Sequence, residues 1–247
     1  KGDKFKCENF RGISLLNHTY KIFSKILLNR ILPYAEDGIG ETQAGFMRGK
    51  STIDQVFIIR QLISKVWEYN KPIYLLFIDF RKAYDSVVRN KIWSSLHEVG
   101  IPDKLVRLIN ACYEGSKSRV KINEAVSDPF NINTGVRQGD GLSPLLFNVV
   151  LEPALRKANS ADVGIYLGHK KFNVLAYADD VVLMGHHEDD IRKLFRILVS
   201  ETETTGLKIN AGKTKFMKVT RNDHIMSPLI IDNYEFEQVS EFIYLGC

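Results

Sequence analysis

Apolar positions recur along the chain first at helical spacing and then at strand spacing, so helices are predicted at the front and hairpins at the back. Residues 1–70 read as mostly helical. Asn17 is placed to cap a helix that runs to about Ile31, with Tyr20, Phe23, Ile26 and Leu27 as its apolar stripe and Pro33 ending it. Ser51, with Asp54 at capping-box spacing, opens a second helix on which Phe57, Ile58, Leu62, Val66 and Trp67 recur through to Asn70. The nearly unbroken apolar run Ile73–Phe80 predicts a strand buried on both faces. Residues 88–115 read as two helices split at Gly100-Ile101-Pro102-Asp103, the second with Leu105, Leu108, Ile109 and Cys112 as its apolar face. A hairpin is expected over 118–134, turning at Asn123-Glu124, with Arg119 and Lys121 alternating on one face. Ser143-Pro144 begins a helix through Leu146, Phe147, Val150 and Leu155, with a kink or early end at Pro153. Residues 172–184 read as a hairpin and 188–205 as an amphipathic helix carrying Ile191, Leu194, Phe195, Leu198 and Thr202, ended by Gly206. A last hairpin is expected over 229–238, turning at Asp232-Asn233.

The candidate chemistry lies where these elements end. Asp179 and Asp180 form the tip of the 172–184 hairpin, between two apolar strands. Adjacent carboxylates repel each other, and a divalent cation offsets that repulsion. Asp79 lies near the end of the buried strand, where a carboxylate beside a core is costly unless something binds it. Gly45 and Gly49 bracket a compact basic loop with Arg48 inside it and Lys50 directly after it. Thr134–Pro144 holds Gly135, Gly139 and Gly141 beside Arg137 and Gln138; glycines there permit close backbone approach to a ligand.

Taken in order, these stretches resemble the motifs of a known family. Tyr177-Ala178-Asp179-Asp180 resembles the catalytic box of reverse transcriptases. Asn9–Leu16 and Gln43–Thr52 resemble its two fingers motifs, although Met47 stands where the family usually has Arg directly after Gly-Phe. Asp79 with Tyr84 five residues later resembles motif A, Arg137-Gln138-Gly139 motif B, Gly206–Phe216 motif D, and Phe242–Cys247 motif E. These boxes in family order over essentially the whole chain make it similar to the fingers-and-palm region of non-LTR (LINE-type) retrotransposon reverse transcriptases, with group II intron enzymes next.

The resemblance implies an RNA-templated DNA polymerase: two-metal transfer of a nucleotide from a dNTP to a primer 3′-hydroxyl, with RNA template and DNA primer as partners and two Mg2+ ions as cofactors. Asp79, Asp179 and Asp180 would be the catalytic metal ligands, and Lys213 a proton donor or charge neutraliser at the leaving pyrophosphate. Nucleotide binding falls to either Arg48 or Lys50 at the triphosphate, to Tyr84 as a gate against the sugar 2′-hydroxyl, and to Arg137, Gln138 and Gly139; Asp85 is read as structural support. Tyr244, Leu245 and Gly246 would form the primer grip. The expected fold class is α+β, a right-hand polymerase with an antiparallel palm sheet backed by helices. Fingers are expected at approximately 1–70 and 88–133 and palm at approximately 71–87 and 134–247. No thumb or endonuclease is expected within these residues. Two other readings are an RNA-dependent RNA polymerase, which the bulky Tyr84 disfavours, and an inactive retroelement remnant that binds nucleic acid.

Composition changes this picture little. A formal charge of +5 over 247 residues permits a nucleic-acid partner without requiring one. Cys7, Cys112 and Cys247 are too scattered for a zinc site or a disulfide framework, which suggests a reducing, intracellular setting. No apolar run is long enough to span a membrane, and no signal peptide is visible.

Overall fold

A computed structural model describes residues 12–221 and 226–247. Asn9, Phe10 and Arg11 of the first expected fingers motif, and Cys7, lie outside them. The elements in chain order are α1 (His18–Gly38), α2 (Thr52–Glu68), β1 (Ile73–Ile78), α3 (Ala83–Ser86), α4 (Arg89–Glu98), α5 (Asp103–Tyr113), β2 (Lys117–Ser118), β3 (Lys121–Ile122), β4 (Ala125–Val126), β5 (Phe130–Asn131), α6 (Ser143–Ser160), β6 (Ile165–Leu167), β7 (Lys170–Phe172), β8 (Val174–Tyr177), β9 (Asp180–Gly185), α7 (Glu188–Glu203), β10 (Lys215–Val219), β11 (Leu229–Ile231) and β12 (Tyr234–Gln238). They gather into two compact units. One comprises Lys1–Gly38 and Lys82–Val150, the other Ile39–Arg81 and Leu151–Cys247.

The second unit is built on a six-stranded sheet in the order β11-β12-β10-β1-β9-β8. Neighbours are antiparallel except β10 and β12, which run parallel. β1 sits between β10 and β9, and its side chains are buried on both faces, as the unbroken apolar run predicts. On one face Ile73, Leu75 and Phe77 of β1 join Val182 and Met184 of β9 against Ile59, Leu62 and Val66 of α2. α7 packs on β9 and β1, burying the predicted stripe Ile191, Leu194, Phe195, Leu198 and Thr202. β11 and β12 turn at Asp232, whose φ is 53°, as the expected hairpin requires.

Helix ends follow the caps more faithfully than helix faces follow the stripes. The Ser51 hydroxyl accepts from the Asp54 N–H at 3.3 Å, and the Asp54 carboxylate accepts from the Ser51 N–H at 2.7 Å. Ser51→Ala should therefore lower stability by about 1 kcal/mol, read by urea denaturation; an unchanged midpoint would show that the capping box adds nothing. The buried face of α2 is Gln55, Ile59, Leu62 and Val66, so Phe57 and Trp67 of the predicted stripe lie outside it and are exposed.

In the first unit Asn17 caps α1, its side-chain oxygen accepting from the Tyr20 N–H at 2.7 Å. Two expectations fail here. α1 passes Pro33 and continues to Gly38, and its buried face is Ser24, Leu27, Ile31 and Ala35 rather than Tyr20, Phe23 and Ile26. Pro33 removes one backbone hydrogen bond, yet Ile31 and Ala35 on either side are fully buried, and that packing holds the helix together. α6 likewise runs through Pro153 to Ser160 without an early end, since Val149, Val150, Leu151, Ala154 and Leu155 around the proline are all buried. α5 buries Val106, Ile109 and Tyr113, while Leu108 is exposed. β3 and β4 form the expected hairpin, with Asn123 in the left-handed region at φ 54°. Among the described residues no helix is long and apolar enough to cross a membrane.

Candidate active site

The acidic cluster belongs to the sheet unit. β8 and β9 pair from Val174–Leu183 to Tyr177–Asp180, leaving Ala178 and Asp179 as a two-residue turn. Asp79 directly follows β1, the neighbour of β9, so both carry their carboxylates to one end of the sheet. Asp180 keeps solvent access, but the surrounding protein desolvates its carboxylate and the Asp179 and Asp79 charges add to the effect. Its pKa is pushed up to about 6. Three hard oxygen donors in mutual repulsion are the donor set a divalent cation relieves, and in that respect the residues fit one. No trio of His, Cys, Asp or Glu among the described residues is already gathered closely enough to hold an ion. Closing around one would need side-chain rotation or oxygens from substrate.

Asp79 is fixed from the 206–216 segment. The Asn210 side-chain amide donates to the Asp79 carboxylate at 2.9 Å, and the Asn210 N–H donates to the Asp79 carbonyl at 2.8 Å. The Thr214 hydroxyl accepts from the Asp79 N–H at 3.1 Å. Lys213 lies in the same turn, its N–H donating to the Asn210 carbonyl at 3.1 Å, with its side chain exposed. The family motif placed Asn210 in the sequence, but nothing in its spacing showed that it ties down Asp79.

Lys50 is engaged differently from the expectation. Its ammonium donates to the carbonyls of Gly40, Glu41 and Gln43 at 3.3, 3.2 and 2.7 Å, and burial lowers its pKa. All three donors close the 40–50 loop. Arg48 is exposed on that loop, while Met47 is buried. Tyr244 is buried beside Phe77, with ring centroids 5.6 Å apart, and Phe242 stacks on Phe77 at 4.3 Å. Leu245 and Gly246, at φ 51° and 88°, form a tight turn closed by two hydrogen bonds of 3.0 Å between Tyr244 and Cys247.

The other expected residues lie in the first unit. Tyr84 stacks on Phe147, centroids 4.9 Å apart. The Gln138 side chain donates to the Asp85 carboxylate at 3.0 Å, and the Gln138 carbonyl accepts from the Ser14 N–H at 2.8 Å. Gly139, at φ 107°, lies so close to the Ser14 carbonyl that a Cβ would come within 2.9 Å of it. The close approach that this glycine permits is therefore to the chain itself. Arg137 also departs from expectation. Its guanidinium lies 5.1 and 5.0 Å from the centres of the Tyr20 and Tyr113 rings and donates to the Cys112 carbonyl at 2.6 Å and the Ser116 hydroxyl at 3.2 Å. These contacts commit it to holding the loop in place.

Asp79 and the acidic hairpin thus share one end of the sheet, and comparison with known proteins shows the family. The family model for reverse transcriptase (RNA-dependent DNA polymerase) matches residues 1–247, and the chain belongs to that family. It is 28% identical to the Pol polyprotein of a type-1 R2 retrotransposable element from Nasonia vitripennis, over 96% of this chain and 24% of that protein. It is 24% identical to a probable RNA-directed DNA polymerase from transposon BS of Drosophila melanogaster, over 97% of this chain and 27% of that protein. The chain thus spans about a quarter of these relatives' length. In structure it is similar to apo telomerase from Candida tropicalis, with a TM-score of 0.60 at 16% identity over 87% of this chain and 43% of that one, a likeness of fold.

Proposed function

We propose that this chain is the catalytic region of a non-LTR retrotransposon reverse transcriptase, which extends a DNA primer on an RNA template with dNTPs. The observation that carries the reading is the delivery of Asp79, Asp179 in its turn and Asp180 at the start of β9 to one end of the sheet, with Asn210 holding Asp79. Divalent metal is general to the family; two Mg2+ ions bound here would supply Lewis-acid stabilisation of the attacking and leaving oxygens. Asp79 and Asp179 provide the main ligand oxygens, with Asp180 beside them. Asn210 keeps the Asp79 carboxylate oriented. Lys213 neutralises charge on the leaving pyrophosphate. Arg48 takes the triphosphate, since the Lys50 donors are already used within the loop. Gln138 and Gly139 border the nucleotide, with Arg137 bracing their loop. Tyr244, Leu245 and Gly246 form the primer grip, the buried Tyr244 ring anchoring the turn. Fingers at approximately 1–70 and 88–133 and palm at approximately 71–87 and 134–247 describe the parts, with α2 itself packed on the sheet.

Tyr84 serves as the gate against ribonucleotides, held upright by its stack on Phe147. Tyr84→Ala should raise incorporation of ribonucleotides relative to deoxynucleotides by at least about tenfold, a modest steric discrimination. No gain would remove the gate assignment. The reading as a whole is tested by primer extension on an RNA template, using this chain and the full-length protein that contains it, with Asp179→Asn in each. Metal-dependent extension that vanishes in the variant supports it. Salt-sensitive binding of primer–template without extension in either form would instead favour an inactive nucleic-acid-binding remnant.

A further inference from the structure

The catalytic turn has a brace that the family motifs do not assign. Gln43 has a fully buried side chain, yet every polar atom of its amide is in use. Its carbonyl oxygen accepts from the Ala178 N–H at 2.7 Å and from the Gly45 N–H at 2.8 Å, and its amide nitrogen donates to the Ala178 carbonyl at 3.2 Å. A side-chain amide thus makes with Ala178 the paired bonds that a neighbouring strand would make. The backbone continues the pattern. The Ala176 N–H donates to the Thr42 carbonyl at 2.9 Å, and the Ala44 N–H donates to the Ala176 carbonyl at 2.8 Å.

Ala178 needs such support. It is a non-glycine residue in the left-handed region, at φ 54°, and a backbone of that kind persists where its surroundings over-determine it. Gly45 closes the other side: a Cβ there would come within 2.2 Å of the Ala178 nitrogen. The peptide so clamped immediately precedes Asp179.

We propose that Gln43 is a positioning residue of the catalytic centre, its buried amide setting the Ala178 peptide and through it the aim of the Asp179 carboxylate, with Gly45 leaving the space this requires. The proposal deepens the polymerase reading and rests on it for its functional consequence. It recasts Gln43-Ala44-Gly45 as part of the acidic hairpin's support as well as the start of a triphosphate loop.

The test uses Gln43→Leu, which keeps the volume and removes all three hydrogen bonds, and Gln43→Asn, which keeps an amide one methylene too short to reach both Gly45 and Ala178. Gln55→Leu, which removes another buried amide from α2, is the control. Hydrogen exchange is measured over 177–181 and over α7, and Mn2+ binding by the resonance of free Mn2+. Both Gln43 variants should lose protection at Ala178 by about tenfold, with α7 unchanged. They should also bind Mn2+ about tenfold or more weakly, the usual effect of losing a group that orients a metal ligand. Gln55→Leu should do neither. Unchanged exchange and unchanged Mn2+ affinity in both variants would overturn the proposal, as would protection lost uniformly across 177–181 and α7, which marks general destabilisation. The exchange arm reads the brace whether or not the chain polymerises DNA. A wild-type chain whose Mn2+ binding is indifferent to Asp79→Asn would overturn the polymerase reading while leaving the exchange result in force.

Discussion

Asp179→Asn should abolish primer extension, lowering the rate by about a thousandfold or more while leaving the thermal midpoint and primer–template affinity nearly unchanged. Replacing a carboxylate by its isosteric amide keeps the shape of the turn and removes one full charge from the proposed metal-binding set. Lewis-acid stabilisation of this kind is worth several kcal/mol, so its loss exceeds about three decades in rate. Asp79→Asn should behave the same way. It has a further weakness, because an amide in place of the Asp79 carboxylate could turn an N–H toward the Asn210 donor now 2.9 Å away. Asn210→Ala leaves both charges in place and releases only the orientation of Asp79. It should cost about 10–100-fold, mostly through weaker metal binding. Titrating Mg2+ separates the cases. Excess metal should rescue much of the Asn210→Ala loss and little of the Asp179→Asn loss. Rescue of Asp179→Asn to wild-type rate would remove Asp179 from the ligand set.

The parts of this site legible in the sequence were those in which one residue type at one position carries the meaning. Two aspartates between two apolar strands can hardly be anything but a hairpin tip, and the unbroken run before Asp79 can hardly be anything but a buried strand. Ser51 with Asp54, Asn17, and Asp232 at its turn were legible for the same reason: a cap or a left-handed turn is a local event with a local signature. The stripe of α7 was read correctly because its polar face is strongly charged, so only one face remained to bury. α1 and α2 carry apolar residues on most of their circumference, and the buried side is then decided by which partner they meet. That is a tertiary choice, and it exposed Phe23, Phe57 and Trp67. The side chains of Arg137 and Gln43 were illegible for a related reason. Whether a cation or an amide reaches a ligand or a backbone carbonyl depends on chain segments far away in sequence, 135 residues away for Gln43 and Ala178. A motif supplies the position of such a residue and leaves its partner open.

Leu76→Ala should be the most destabilising single truncation in the sheet, at about 2–5 kcal/mol. Leu76 is fully buried at the middle of β1, directly opposite Phe216 of β10 and Leu183 of β9, which are also buried. The three side chains form one cross-strand row on one face of the sheet, so a cavity at Leu76 opens in the middle of that row. The strands on either side are held in register by their own ladders and have little freedom to collapse into it. Leu76→Met, which roughly conserves volume, should cost less than about 1.5 kcal/mol. Ile230→Ala, on the edge strand β11 with its side chain mostly exposed, should stay within about 0.5 kcal/mol. Guanidinium denaturation of the three variants, followed by hydrogen exchange over β1 and β9, checks the order. A Leu76→Ala cost no larger than that of Ile230→Ala would mean that the central row is not the core of the sheet. The result also bears on the chemistry, because Asp79 follows β1 after Ile78 and its carboxylate can be aimed no better than that strand is held. At temperatures where Leu76→Ala is still folded, metal affinity should fall only slightly, since the Asn210 and Thr214 contacts hold Asp79 independently of the row beneath it.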